Sequence, residues 1–336
     1  MNVASQRKTA ALFEVLGVFL CGPVLMLELR RLLGVSLTNP LNHLTAQANG
    51  ADLVTASRQL FALLLVSNAG YYILAVPLNW WYRRRKPADF GLTRAGHKWG
   101  FLILAGVCAA AVWEWPVLTV SFVNALHPSA TVAWRQAFFE MSWRRWQFWL
   151  FAGVLSWGGA PVFEELFYRG YCQRRLAEDW GDGPAIFGAA CLFTFSHAQY
   201  LRFDAYNMGM TIGLLLCAIG FGAVFAWTRS LIPGMIAHAL VDIPMTIRWQ
   251  AGFLAVMVVI ALISVPRARV AIKKVFSGAS ALACVALAVV GGVYAVLNSV
   301  DRIIVYVIIA AAAMLVFAVV LEAKDRLRKA SAQAIE

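Results

Sequence analysis

Stretches of roughly 20 mostly apolar residues, the length that crosses the hydrocarbon of a bilayer, recur from one end of this sequence to the other. On that criterion spans are expected near 9–29, 59–81, 99–120, 147–169, 184–201, 208–228, 231–247, 250–266, 276–297 and 303–322. The fold class is therefore an all-α polytopic transmembrane bundle of about 8–10 spans. The segments 184–201 and 231–247 are short and carry polar residues, and a re-entrant course for one of them lowers the count. Two long connections separate the spans, 30–58 and 121–146. The second, with Trp134, Arg135, Trp143, Arg144, Arg145 and Trp146, has the aromatic and basic character of a headgroup-level segment.

Composition agrees with the spacing of the spans. The chain of 336 residues is 61% hydrophobic and 14% charged, whereas a soluble domain is about half apolar and a quarter charged. The formal charge of +12 does not call for nucleic acid, because Lys and Arg collect in the cytoplasmic loops of membrane proteins. Arg7/Lys8, Arg83-Arg84-Arg85-Lys86, Arg94, Lys98, Arg174/Arg175, Arg229, Arg267/Arg269, Lys273/Lys274 and the tail from Lys324 to Lys329 fall on one side of the expected bundle. That bias places both termini in the cytoplasm. The basic N-terminal flank and following apolar run resemble a signal peptide, but Glu14 interrupts the run, so a retained first helix is expected. The six cysteines include no close CxxC pair and indicate neither a zinc ribbon nor a disulfide framework.

Three places stand out against this apolar background. Glu164-Glu165-Leu166-Phe167-Tyr168-Arg169 follows the apolar run 148–155, and ionisable groups at membrane depth are costly and mark functional sites by default. On a helix Glu165 and Arg169, four apart, share a face, while Glu164 is rotated by about 100°. Arg169 can then neutralise Glu165, leaving Glu164 free to act on a proton or a metal. Taken alone, the stretch is equally a helix end carrying a solvated ion pair. The second place is Phe193-Thr194-Phe195-Ser196-His197, and the third is His238-Ala239-Leu240-Val241-Asp242. A carboxylate four residues from a histidine can fix its tautomer or join it at a metal; taken singly, each histidine is also compatible with a structural hydrogen bond. At about 1.5 Å per residue, Glu164 lies about 15 Å from Arg174, His238 about 14 Å from Arg229 and His197 about 20 Å from Pro184. All three depths fall near the middle of a core about 30 Å thick.

The order EExxxR, FxxxH, HxxxN/D on successive membrane helices resembles the CPBP family, also called the ABI or CAAX-protease family. It includes the CAAX prenyl endopeptidases and bacterial proteins linked to bacteriocin maturation and immunity. The motifs here read Glu164-Glu165…Arg169, Phe193…His197 and His238…Asp242, and the turn Asp89-Phe90-Gly91-Leu92 is similar to the segment that often precedes the core in that family. The resemblance divides the chain into N-terminal helices 1–84, a protease-like core 85–250, and C-terminal helices with a basic tail 251–336.

It implies an intramembrane endopeptidase in which Glu164 activates water with the help of His197. His238 and Asp242 would stabilise the oxyanion or hold the second side of the site, and Glu165, Arg169 and Phe193 would support it. The prenyl endopeptidases carry Asn where this chain has Asp242, and a carboxylate donates a hydrogen bond only when protonated. Asp242 would then orient His238 or bind a cation. Two histidines with Glu164 or Asp242 could also form a three-ligand zinc site, although the compact HExxH arrangement is absent. The implied partners are a membrane-associated or lipid-modified peptide or protein and the lipid bilayer, with no nucleic acid, and the implied location is a bacterial inner membrane. Two other functions use the same residues: a non-catalytic immunity or scaffold protein of the same fold, and a proton-coupled transporter with Glu164, His197 and His238 as its relay. Glu14 and Glu114, the other acids near apolar spans, are expected at interfaces or in helix–helix hydrogen bonds.

Overall fold

The computed structural model describes residues 3–35, 49–110, 113, 144–157, 159–201 and 205–243. Among these residues the chain is helical, with turns and without strands, as the apolar runs predict. The expected spans 250–266, 276–297 and 303–322, the interfacial stretch within 121–143, and Glu114 lie outside the described residues.

Helix α1 (Val3–Leu33) and helix α2 (Gly50–Val76) lie along one another. Small residues let them approach closely: a Cβ at Gly70 would stand against the Gly22 carbonyl and the Met26 backbone, the usual device where lipid supplies no hydrophobic drive between helices. Asn49 starts α2 by accepting from the N–H groups of Ala51 and Asp52, and Asp52 returns a bond to the Asn49 N–H. The reciprocal pair satisfies N–H groups that the first turn leaves free. Beyond Val76 the helix widens into a π-helical turn, Pro77–Tyr82. A short apolar helix, α3 (Trp99–Ala110), follows the basic connection.

The segment read as one span, 147–169, is instead two helices. Helix α4 runs from Trp146 to Trp157 and helix α5 from Ala160 to Glu165, with Gly159 between them at φ +146°. That conformation is open essentially to glycine alone, and Pro161 beside it suits a first helical turn. Helix α5 does not stop at the acidic pair. It passes into a π-helical segment, Leu166–Gln173, and then into α6, Arg174–Trp180. Helix α7 covers Asp182–Ser196, α8 Ala205–Thr228 and α9 Ile232–Val241.

Three of these helical stretches, Gln6–Leu33, Gly50–Tyr82 and Asn207–Thr228, are long and apolar enough to cross a bilayer. The protein is an integral membrane protein. Its main core joins Phe167, Tyr171, Phe193, Phe221 and Ala237 to Val15 and Val18 of α1. Glu14 also crosses between helices: it accepts from Arg83, Arg175 and Tyr171, tying α1 to the end of α2 and to α6.

Candidate active site

The site is built where the π-helical segment meets α7, α8 and α9. Arg169 is 1% exposed, the largest fully buried side chain among the described residues. A guanidinium cannot shed its charge, so burial demands compensation. Its Nη1 donates to Glu165 Oε1 at 2.9 Å and its Nη2 to the Ala218 carbonyl at 3.2 Å. Its flat group lies 4.8 Å from the Phe193 ring centroid and 5.5 Å from that of Phe221, the faces that attract a desolvated cation. The solvated helix-end pair that the sequence also allowed is therefore ruled out: the Glu165 and Arg169 side chains are 0% and 1% exposed.

Glu165 Oε1 has a second partner, His238 Nδ1, at 3.0 Å. A carboxylate oxygen accepts, so Nδ1 carries the hydrogen. The carboxylate that holds His238 through Nδ1 is thus Glu165 from another helix, while Asp242, its neighbour at i+4, stands 3.6 Å from Nε2. The i,i+4 rule reports which side chains share a helix face, not which of them meets the ring first. Glycine makes the cross-helix contact possible: a Cβ at Gly234 would lie 2.8 Å from Glu165 Oε2.

The remaining ring nitrogen, His238 Nε2, faces two carboxylates, with Glu164 Oε2 at 3.8 Å and Asp242 Oδ2 at 3.6 Å. Both distances exceed a hydrogen bond. The Glu164 side chain is 20% exposed against 0% for Glu165, although its Oε2 is buried and has no hydrogen-bond partner among the described residues. Asp242 is not on the helix proper. It caps the C-terminus of α9, and its N–H bonds back to the His238 carbonyl.

His197 likewise ends its helix: it lies just past Ser196 at φ −89°, ψ 52°. The apolar run 184–201 predicts instead a position within a helix. Its Nδ1 lies 2.8 Å from the Phe193 carbonyl, which only accepts, so Nδ1 donates and Nε2 of the neutral ring keeps its lone pair. The Phe193 ring lies against both histidines, 4.7 Å from His197 and 5.7 Å from His238. Phe193 thus contacts Arg169, His197 and His238.

Two contributors, Ala218 and Phe221 of α8, carry no sequence signal, since nothing separates them from other residues of an apolar span. Gly234 carries a faint one, as a helix break beside Pro233. Among the described residues no group of three or more His, Cys, Asp and Glu side chains is arranged to hold a metal ion.

Fold and site together define a helical membrane protein with a carboxylate–histidine centre enclosed by its helices. Residues 144–244 match the family model of type II CAAX prenyl endopeptidases, Rce1-like, in the CAAX-protease family that the three motifs resemble. The matched stretch contains all seven of Glu164, Glu165, Arg169, Phe193, His197, His238 and Asp242. Comparison with curated proteins and with solved structures gave no match.

Proposed function

We propose that the protein is an intramembrane endopeptidase that hydrolyses a peptide bond in a membrane-associated, lipid-modified protein, with Glu164 as general base. The observation that carries this reading is the asymmetry of the acidic pair. Glu165 is sealed and its Oε1 is bonded by Arg169 and His238, whereas the Glu164 side chain is partly open; the Oε2 of each acid has no hydrogen-bond partner among the described residues. The match to a prenyl endopeptidase model supports a membrane-associated protein as substrate.

In this mechanism Glu164 takes one proton from water while His197 Nε2 accepts a hydrogen bond from the water's other O–H and aims its oxygen at the scissile carbonyl carbon. The C–O bond forms and the carbonyl π pair moves to oxygen. His238 is held by Glu165 with Nε2 turned toward the site, and when Nε2 is protonated it donates to that oxyanion. Asp242 lies on the same side of the ring, 3.6 Å from Nε2. Collapse of the tetrahedral intermediate breaks the C–N bond, and Glu164 returns its proton to the leaving amine. Such a positioned base contributes about 10²–10⁴ in rate. Arg169 takes no part in the bond changes; it donates to Glu165 and holds it in place.

The test is hydrolysis of a fluorogenic prenylated CAAX-type peptide by purified protein in nanodiscs. Cleavage by the wild type, lost in Glu164→Gln and His197→Ala, is the expected result. Equal cleavage by Glu164→Gln and wild type would remove the proposed base.

A further inference from the structure

The connection between α2 and α3 leaves one apolar helix at Tyr82 and enters the next at Trp99, so it lies at a bilayer surface. Aromatic side chains frame it at both ends: Trp80, Trp81 and Tyr82 are 57%, 75% and 80% exposed, and Trp99 is 54% exposed. Tryptophan and tyrosine at the ends of spans sit at headgroup level. Between them Arg84, Lys86, Arg94 and Lys98 are exposed. Neighbouring cations are already paired, Arg83 with Glu14, Arg85 with Glu178 and Arg229 with Asp182. None of the ion pairs among the described residues involves Arg84, Lys86, Arg94 or Lys98. Asp89, the acid within the connection, accepts from the backbone N–H of Lys86 at 2.7 Å. Arg94 lies 5.9 Å from the Trp99 ring centroid, which groups charge and ring at one level.

The surface is also fixed in position. Pro87–Phe90 forms a 3-10 turn closed by Gly91 at φ +83°, and the Gly91 carbonyl accepts from the Leu231 N–H at 2.9 Å. A Cβ at Gly91 would strike the Phe225 ring. The turn is thus locked to the start of α9, and its cations keep a set height relative to the bundle.

We propose that Arg84, Lys86, Arg94 and Lys98, framed by Trp80, Trp81, Tyr82 and Trp99, form a docking surface for the headgroups of anionic phospholipids. The complementarity is of charge and of depth. Cations at a membrane surface attract anionic lipid, and the rings that border these four place them at the phosphate level, where an acidic soluble protein would have to displace lipid. The proposal does not depend on the peptidase reading.

Native mass spectrometry of the purified full chain, titrated in detergent with phosphatidylglycerol or phosphatidylcholine, tests it. Phosphatidylglycerol should bind at least about tenfold more tightly than phosphatidylcholine, given the gain per basic residue near a surface. The quadruple variant Arg84→Gln, Lys86→Gln, Arg94→Gln, Lys98→Gln should lose at least about fivefold of the phosphatidylglycerol affinity and none of the phosphatidylcholine affinity. The charge-preserving set Arg84→Lys, Lys86→Arg, Arg94→Lys, Lys98→Arg should keep both. If the quadruple variant does not fold, the pairs Arg84→Gln/Lys86→Gln and Arg94→Gln/Lys98→Gln should each lose part of the selectivity. Undiminished selectivity in the glutamine variants overturns the proposal. So does an equal loss in the charge-preserving set, or binding of a poly-glutamate peptide without any preference for phosphatidylglycerol.

Discussion

At the scale of single residues, two adjacent glutamates occupy different environments, and their substitutions should separate accordingly. Glu165→Ala leaves the Arg169 charge buried without its carboxylate and frees His238 Nδ1. Removing one partner of a buried pair costs about 3–5 kcal/mol, so the variant should show low expression and a much lower thermal midpoint in detergent. A fully stable Glu165→Ala protein without activity would exchange the roles of the two acids. Asp242→Asn should retain peptidase activity within about tenfold, because its carboxylate stands 3.6 Å from His238 Nε2 and makes no hydrogen bond there to lose; kcat of the purified variant decides this. The division between Glu164 and Glu165 was legible in the sequence, since helix periodicity alone places Arg169 beside the second acid. The bond from Glu165 to His238 was not legible, because it joins residues on different helices and no single-helix spacing encodes it.

At the scale of elements, glycines determine where helices may break and approach. The apolar run 147–169 reads as one span, yet Gly159 at φ +146° divides it. Hydropathy averages over such a position, since glycine is neither strongly apolar nor charged, and the break appears only through backbone conformation. The π-helical course of Leu166–Gln173 was equally invisible, as its composition suits an α-helix. Gly234→Ala should force a Cβ into Glu165 Oε2, 2.8 Å away, and so turn His238; the expected outcome is a fall in kcat larger than any rise in KM. Gly153→Ala is the matching control. No other described residue comes within 4 Å of a Cβ placed there, and alanine gains about 1 kcal/mol over glycine in a helix, so stability and activity should be unchanged or slightly improved.

At the scale of the molecule, the family-matched stretch 144–244 leans on helices outside it. Glu14 of α1 accepts from Arg175 and Tyr171 within that stretch and from Arg83 at the end of α2. The sequence predicts Glu14 at an interface or in a helix–helix hydrogen bond but does not identify its partners, which lie 69 to 161 residues away. Glu14→Gln should lower stability by about 2 kcal/mol through weakened charge-assisted bonds, seen as a lower thermal midpoint with kcat preserved at low temperature. A fragment of 144–244 alone should fail to form a monodisperse species in detergent, because Val15 and Val18 of α1 belong to the same core as Phe167 and Tyr171. The most direct measurement remains turnover by the whole enzyme with one carboxylate neutralised. Glu164→Gln, assayed in nanodiscs against a prenylated peptide, should lose at least about a hundredfold in kcat while its thermal midpoint stays at the wild-type value. Wild-type turnover by a folded Glu164→Gln protein would contradict the assignment of Glu164 as the base.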